Sequence, residues 1–459
     1  MDLFRKKAIQ SSADADPVQL HRCLSAFDLT FLGIGAVIGA GVFVLTGIVA
    51  SNYSGPGIVF SYILAALACA FSALSYAELA AAIGGCGSAY GYAYAGFGEI
   101  VAWIVGWDLL LEYAISVPAV SVGWSSYLKD FITSLKIPMP EALLHGPLDG
   151  GVLNVLALSI ILLLTVLLIF GVKSSARVNN VMVWMKLLVI AVFVAIASRE
   201  VNPANWRPFL PFGWHGVMQG ASLIFFAYVG FDAVSTAAEE ALVPQRDLPI
   251  GIISSLLICT LLYILVAGLL TGIVPYHQLD QASPISHSLL GLGYRAAAGF
   301  IGVGALVGLT TVMLVLFYGL SRVFLAMARD GLLPDYFAKI HTVTKTPIRI
   351  LLLCGLVMGI VAALMPIEEL AELVNIGTLF AFMIVCSGVM ILRYTQPALP
   401  RPFKTPGMPI IPLLGIVSCF YLIAHLPWKT ILRFIIWMMI GLMVYFGRYM
   451  KKRRASGSL

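Results

Sequence analysis

Three ionisable residues lie inside long apolar stretches of this sequence: Glu112 in GWDLLLEYAIS, Lys186 in VMVWMKLLVIAVF and Asp232 in FFAYVGFDAVS. A charge at the centre of a bilayer costs about 2.5–3.5 kcal/mol even on a lenient scale, so such residues need a partner or a function. Amines and carboxylates removed from water can bind and release protons. Since the seven histidines fall in loops, tails or span ends, these three residues are the candidates for proton coupling.

Each of the three also has a structural interpretation. Lys186 could extend its ammonium to the membrane surface, although its position in mid-span disfavours this. Glu112 could bond to Tyr113 or a serine, pair with Lys186, or relay protons, and Asp108 shares its helical face. Asp232 could cap the helix that follows it, and a cap that loosens on protonation would combine both roles.

Two apolar stretches contain residues that interrupt a helix. The first holds GIGAVIGAG (33–41), with four glycines in nine residues, and the second holds FFAYVGFD (225–232), a glycine close to an acid. One glycine is explained by close helix packing, but four cost more helix propensity than one contact needs. We predict hinges at Gly35 and Gly230, with packing left as an alternative for Gly230.

The composition places these residues in a membrane. The 459 residues are 60% hydrophobic and 11% charged, whereas soluble domains are about one quarter charged. A spanning helix needs about 20 apolar residues, and the sequence predicts twelve spans: 28–49, 57–83, 97–127, 151–171, 180–198, 216–240, 248–273, 296–327, 349–365, 371–393, 409–426 and 430–448.

The interrupted stretches lie five spans apart. A five-helix unit repeated in tandem inserts its second copy upside down, and paired interruptions in two such units mark a transporter's binding site. We predict an all-α integral membrane protein with these segments: a cytoplasmic tail 1–26, a first repeat 27–198, an extracellular loop 199–215, a second, inverted repeat 216–394, helices 11 and 12 in 395–448, and a basic cytoplasmic tail 449–459.

The basic residues predict the orientation. With a cytoplasmic N-terminus, 20 of the 28 Lys and Arg residues fall in or beside cytoplasmic segments and seven in or beside outer loops, as the positive-inside rule requires. The first 26 residues lack the apolar core of a signal peptide. We expect a multi-pass protein of the inner (plasma) membrane with both termini in the cytoplasm.

Other function classes lack their motifs. The seven cysteines are scattered without metal-type spacing, and the sequence has no phosphate loop of a pump and neither HExxH nor GxSxG of an enzyme. A channel would need a continuously polar pore. We therefore predict no enzyme, no cofactor, no metal and no nucleic-acid partner, with a membrane enzyme as the main alternative class.

At the interrupted stretches the sequence resembles the amino acid–polyamine–organocation (APC) superfamily of permeases, closest to its bacterial cationic-amino-acid-transporter-like members. The matching pieces are GIGAVIGAGVF (33–43), GSAYGYAYAGFGE (87–99), FFAYVGFDAVSTAAEE (225–240), PQRDLPIGI (244–252) and ARDGLLP (328–334). The resemblance implies the leucine-transporter-type fold, with five-plus-five inverted repeats, helices 1 and 6 broken, and helices 11 and 12 outside the repeats. It implies an alternating-access carrier with a central amino acid site, and allows a small accessory membrane protein as a partner; the oligomeric state stays open.

The helix ends at the interruptions suit an amino acid zwitterion. Backbone amides at the start of a half-helix attract an anion, so we expect the carboxylate at Gly39, Ala40 and Gly41, near Val37. Position 40 is usually Ser or Thr in the family, so Ala40 removes a hydroxyl donor. The resemblance assigns the ammonium to Phe226, Ala227 and Val229. The predicted walls are apolar: Ile38, Phe226, Phe231, Leu316 and Phe317.

The apolar walls favour small neutral L-amino acids such as alanine, because a buried unpaired cation is costly. In proton-coupled relatives a lysine like Lys186 stands in place of a sodium ion beside the broken first helix. Lys186 therefore predicts proton symport, although Thr310 and Thr311 leave sodium open. An exchanger, a carrier of cationic amino acids or polyamines, and an amino acid sensor on the same fold are the alternatives.

Overall fold

This chain consists largely of long apolar stretches. In lipid such stretches form helices, because a helix satisfies its backbone N–H and C=O groups with hydrogen bonds of its own. The computed structural model describes residues 24–83, 89–134, 139–170, 176–238, 241–280, 283–341, 344 and 346–455. Regular structure in these ranges is helical, apart from one isolated bridge between Leu24 and Ala241. Most of the predicted N-terminal tail (1–23) and the end of the C-terminal tail (456–459) lie outside the described residues.

Sixteen α-helices follow one another in the described residues. They are α1 (Ala26–Val37), α2 (Thr46–Val49), α3 (Ile58–Ile83), α4 (Ala89–Gly96), α5 (Glu99–Ser134), α6 (Val155–Ile169), α7 (Ala176–Ala197), α8 (Gly213–Ile224), α9 (Ala233–Thr236), α10 (Pro244–Ile273), α11 (Pro284–Gly291), α12 (Arg295–Arg329), α13 (Ile348–Leu364), α14 (Ile367–Thr395), α15 (Ile410–Ala424) and α16 (Trp428–Ala455).

By length and composition, eight helical stretches of the described chain could cross a membrane, and four shorter apolar helices accompany them. The eight are Gly41–Ile83, Glu99–Thr133, Asn180–Ala197, Gly213–Ser235, Pro244–Ile273, Arg295–Arg329, Ile367–Thr395 and Trp428–Arg448. Each of the twelve predicted spans contains helical residues. The chain is thus a multi-pass helical membrane protein, and the number of crossings stays a prediction.

The chain leaves the helix at both predicted interruptions. Helix α1 ends at Val37, Ile38 is extended with ψ at 101°, and π-helical turns continue from Gly41. Helix α8 ends at Ile224 and passes through a 3₁₀ turn (Phe225–Tyr228). Gly230 then has a φ of +114°, a conformation that a side chain disfavours.

Side-chain bonds fix the start of α1. Ser25 and Asp28 form a capping box, in which the side-chain oxygen of each residue accepts from the backbone N–H of the other. The amide of Asn180 in α7 donates to Asp28 Oδ1 over 2.9 Å. The short helix α1 is therefore anchored to α7 at one end, while its other end opens into the first interruption.

A buried ion cluster joins α3, α14 and the loop before α15. The Glu78 carboxylate is 2.6 Å from Arg393 Nη2 and 3.4 Å from Arg401 Nε. It also accepts from the backbone N–H of Thr405 at 2.7 Å. Glu78 is 1% exposed, so its charge depends on these partners.

Replacement of Glu78 by glutamine should destabilise the protein by about 3–5 kcal/mol, because two arginines would lose a buried counter-charge. Thermal unfolding in detergent measures this. Glu369→Gln is the matched control: its partner Arg433 lies 2.8 Å away, but both side chains are at least 32% exposed, and such pairs contribute about 1 kcal/mol or less. Equal shifts for the two variants would contradict the structural role of the cluster.

Candidate functional site

The two interrupted segments meet at the centre of the helix bundle. A Cβ atom placed on Gly41 would lie 2.3 Å from both Cα and Cβ of Ala227. A Cβ on Gly230 would lie 3.1 Å from the carbonyl oxygen of Ala36. Two backbones approach this closely only where side chains are absent, which explains why glycines occupy these positions.

A narrow cavity lies between the interruptions, with a volume of about 10 Å³ on the measure by which one water molecule needs about 10–15 Å³. Its lining consists of Ala36, Val37, Gly39, Ala40, Gly41, Ser116, Val120, Phe226, Val229, Val312 and Leu316. The lining is apolar except for backbone groups and the Ser116 hydroxyl, which donates to the carbonyl of Glu112 over 2.7 Å. Backbone groups are therefore the main polar partners that the cavity offers.

Most residues predicted for the substrate site lie around this cavity. Val37, Gly39, Ala40, Gly41, Phe226, Val229 and Leu316 all line it. Ala227 does not line the cavity but packs against Gly41. Phe231, predicted as a wall, instead packs against the rings of Tyr76 and Phe382, with centroids 6.1 and 5.1 Å away.

Sequence reasoning missed four of the lining residues, and helical spacing could have found three of them. Ser116 and Val120 follow Glu112 at intervals of four on α5, and Val312 precedes Leu316 by four on α12. Residues four apart share a helix face. Ala36 lies next to Val37, and nothing in the sequence distinguished it.

The backbone amides that begin the helical turns after the first interruption are free. Gly39, Ala40 and Gly41 donate no hydrogen bond to any acceptor in the described part of the chain. The first amides of a helix have no partner within the helix, and all three residues border the cavity. They form a site suited to an anionic group.

Two carbonyls of the same interruption, by contrast, accept from the Lys186 side chain. Lys186, 1% exposed, donates to Gly35 O at 2.7 Å and to Ile38 O at 3.0 Å. Its stem packs against Gly308, where a Cβ would lie 3.2 Å from Lys186 Cγ and Cε. Lys186 forms no salt bridge to a described acid, so it does not pair with Glu112.

Tyr263 in α10 joins the two interruptions and was not predicted. Its hydroxyl lies 2.8 Å from Val37 O and 3.0 Å from Ala227 O. A hydroxyl carries one proton, so the two carbonyls share one donor. Tyr263 also packs against Tyr62 and Tyr228, with ring centroids 5.3 and 5.4 Å away. The distance between the two interrupted segments therefore depends on this one side chain.

Asp108, Glu112 and Asp232 form a group of buried acids beside the cavity. They are 0%, 1% and 5% exposed, and Glu112 lies within electrostatic reach of the other two. Both Asp108 oxygens, Glu112 Oε1 and Asp232 Oδ1 have no hydrogen-bond partner in the described ranges. Asp108 Oδ1 occupies the space left by Gly377, where a Cβ would lie 2.9 Å away.

The capping interpretation of Asp232 is realised only in position. Asp232 is the residue before α9, but its side chain makes no capping hydrogen bond.

The Thr310 and Thr311 hydroxyls donate to carbonyls of their own helix, Leu306 O at 2.8 Å and Gly308 O at 2.7 Å. No group of three or more potential metal ligands was found among the described residues.

A helical membrane protein with its central cavity at two interrupted helices has the architecture of a secondary transporter. Residues 24–447 match the family model described as "Amino acid permease". The chain belongs to this amino acid permease family, which confirms the resemblance to the APC superfamily.

The relatives are named as permeases and transporters. The chain is 49% identical over 453 residues to "Branched-chain amino acid permease BcaP" of Bacillus subtilis (strain 168), covering 97% of both chains. It is 47% identical over 447 residues to "Methylthioribose transporter" of the same organism, again covering 97% of both. It is 41% identical over 384 residues to "Cationic amino acid transporter 9, chloroplastic" of Arabidopsis thaliana, covering 82% of this chain and 67% of the relative. The protein is a permease and not an enzyme.

Gly41→Ala should reduce amino acid uptake about tenfold or more, because its Cβ would collide with the backbone of Ala227. Gly299→Ala in α12 is the control, because a Cβ added there would meet nothing within 4 Å outside the backbone of its own helix. Uptake of labelled leucine and alanine into cells measures both variants, with membrane expression as the reference. Equal activity of the two would show that the close approach is not required.

Tyr263→Phe should raise the KM for uptake about tenfold, because a buried carbonyl left without a donor costs about 1–3 kcal/mol. The control is Thr271→Val in the same helix, since the Thr271 hydroxyl donates to Ala267 O of its own helix at 2.9 Å. Concentration-dependent uptake separates KM from the maximal rate. An unchanged KM in Tyr263→Phe would contradict the bridging role.

Proposed function

We propose that this permease carries small neutral L-amino acids together with protons, by alternating access across the plasma membrane. One observation carries the proposal: the Lys186 ammonium bonds two carbonyls of the first interruption, and the free amides of that interruption face the cavity. Lys186, the proposed proton carrier, therefore contacts the same short segment, 35–41, that presents the amides of the substrate site.

The substrate carboxylate binds the amides of Gly39, Ala40 and Gly41. These are main-chain donors at the start of a helical segment, where the helix dipole favours a negative charge. The ammonium binds carbonyls of the second interruption, at Phe226, Ala227 and Val229. Phe226 and Val229 line the cavity, and the Ala227 carbonyl already accepts from Tyr263.

The substrate side chain lies against Val120, Val312 and Leu316, which line the cavity from α5 and α12. These residues offer apolar contact, so aliphatic side chains fit better than polar ones. The name of the relative at 49% identity, a branched-chain amino acid permease, supports aliphatic substrates. We therefore extend the substrate range from alanine to valine, leucine and isoleucine.

The lining disfavours the other substrate classes that the relatives' names suggest. Within the described residues the cavity has no charged side chain and one hydroxyl, that of Ser116. A guanidinium or a second ammonium would be buried there without a counter-charge, which is costly. A methylthioribose molecule carries several hydroxyls, and the lining offers few side-chain partners for them.

Protonation of Lys186 couples to the shape of the site. A charged ammonium forms hydrogen bonds about twice as strong as a neutral amine does. The charged form therefore holds Gly35 and Ile38 in the observed arrangement, and loss of the proton releases them. The same ammonium repels a sodium ion. Glu112 and Asp232 serve as further proton-carrying groups, and Gly35 and Gly230 as hinges.

The packing of helices supports a five-plus-five inverted repeat over 27–198 and 216–394. Helix α3 packs against α10, α5 against α12, and α6 against α13, and each pair consists of predicted counterparts in the two repeats. The interrupted segments, which are a fourth pair of counterparts, also touch. Two related halves that meet around one site suit alternating access. The proposed orientation has both termini in the cytoplasm.

The test is uptake of labelled leucine by proteoliposomes with and without an inward proton gradient, for wild type, Lys186→Met and Lys129→Met. Methionine has a similar shape without the charge, and Lys129 is a control lysine at the outer end of α5, bonded to His145. Wild type and Lys129→Met should accumulate leucine about tenfold or more under the gradient, and Lys186→Met should not.

Gradient-independent uptake that requires internal amino acid would make the protein an exchanger and contradict proton symport. Uptake that follows a sodium gradient would contradict the role of Lys186. Absence of transport for every amino acid in a competition panel would contradict the substrate class.

A further inference from the structure

The carbonyls that end α8 accept from a side chain of another helix, and Leu223 O also accepts from the backbone N–H of Phe225. In a continuous α-helix, Ser222 O and Leu223 O would accept from amides four residues further on. The change to a 3₁₀ turn at Phe225–Tyr228 disturbs that pattern. The Nδ2 atom of Asn375 lies 2.7 Å from Ser222 O and 2.9 Å from Leu223 O. One amide group thus serves both carbonyls of the last helical turn.

Asn375 acts here as a donor only. It lies on α14 and is 0% exposed, and its two amide hydrogens match the two carbonyls. The opposite orientation of the amide would set its oxygen against two carbonyl oxygens. Its Oδ1 has no partner among the described residues. The side chain therefore makes two hydrogen bonds to α8 while its own buried oxygen stays unpaired. Such a cost indicates a specific position for α8 rather than general packing.

Further donors fix α8 along its length. The Ser61 hydroxyl of α3 donates to Val217 O at 2.8 Å. The Ser222 hydroxyl donates to Leu422 O of α15 at 2.9 Å. Helix α8 is thereby bonded to α3, α14 and α15, and the bonds from Asn375 are those nearest to the second interruption.

The turn held by Asn375 leads directly to the point of closest approach between the interruptions. Ala227 lies four residues after Leu223, touches Gly41 and offers its carbonyl to Tyr263. A shift of the Ser222–Leu223 turn therefore moves the backbone against which Gly41 packs. It also moves Phe226 and Val229, which line the cavity.

We propose that Asn375 is a positioning residue that sets substrate affinity by holding the second interruption at a fixed distance from the first. It touches no substrate and acts through the backbone of α8. This inference rests on the proposed amino acid site between the interruptions. It assigns a functional role to a polar residue of α14 that carries no charge and does not line the cavity.

The first measurement is hydrogen–deuterium exchange of the protein in lipid nanodiscs, with wild type, Asn375→Leu and Ser387→Ala. Leucine retains the volume of Asn375 without its donors. Ser387 is the control on the same helix, because its hydroxyl donates to Met383 O of α14 itself, at 2.8 Å. Amides of the segment 222–230 should exchange at least about tenfold faster in Asn375→Leu, while the control and the rest of α14 stay unchanged.

The second measurement is leucine uptake by proteoliposomes that contain the same variants. The KM should rise about tenfold in Asn375→Leu with the maximal rate within about twofold of wild type, and Asn375→Ser, with one donor, should fall between them. Asn375→Ser also serves as the test if Asn375→Leu does not fold.

Unchanged exchange in 222–230 would overturn the proposal, and so would a uniform increase along the whole chain, which indicates general destabilisation. A loss of maximal rate at constant KM would overturn it as well. If wild type transports no amino acid, the proposed function fails, whereas the exchange result still decides whether Asn375 holds the turn.

Discussion

The interrupted helices leave backbone carbonyls without helical partners inside a membrane, and the arrangement of the site depends on how these carbonyls are satisfied. Lipid offers them no donor, and each unsatisfied group costs several kcal/mol. The first interruption leaves such carbonyls, and side chains from two surrounding helices supply the donors: Lys186 of α7 to Gly35 and Ile38, and Tyr263 of α10 to Val37. In the helical turns that follow, Tyr62 of α3 and Tyr127 of α5 donate to the carbonyls of Gly41 and Phe43.

The same interruption also leaves backbone amides without partners at one end of the cavity. Side chains donate to the carbonyls of Gly35, Val37 and Ile38, whereas the amides of Gly39, Ala40 and Gly41 have no acceptor in the described part of the chain. A ligand that enters the cavity therefore meets free amide donors at this end. Because these donors are main-chain groups, they remain in place although Ala40 lacks the hydroxyl that is usual in the family. Lys186 donates to the backbone that presents these amides, and the proposed coupling of proton binding to substrate binding rests on this contact.

Much of this arrangement could be read from the sequence because it involves residues that are costly in a membrane. A lysine in mid-span and four glycines in nine residues each oppose the surrounding pattern, and both lie at the site. Tyr263 and Asn375 could not be found in this way. A tyrosine in an apolar helix and an asparagine in NIGT are ordinary residues, and their importance depends on carbonyls that come near only after folding.

The sequence also left local geometry undetermined. The predicted span 216–240 becomes a helix of twelve residues, a 3₁₀ turn and a four-residue helix, and this turn directs Phe231 towards Tyr76 instead of the cavity. The basic tail predicted from 449 continues α16 as helix to Ala455. In both places the side-chain pattern is compatible with several backbone paths, and tertiary contacts select one of them.

The most direct test of the central claim is an experimental structure of the protein with leucine bound. The carboxylate oxygens should lie within about 3.2 Å of the amide nitrogens of Gly39, Ala40 and Gly41, the ammonium at carbonyls of 226–229, and the side chain against Val312 and Leu316. Lys186 should keep its bonds to Gly35 and Ile38. Leucine bound at another place, or a carboxylate held by Lys186 itself, would contradict this claim.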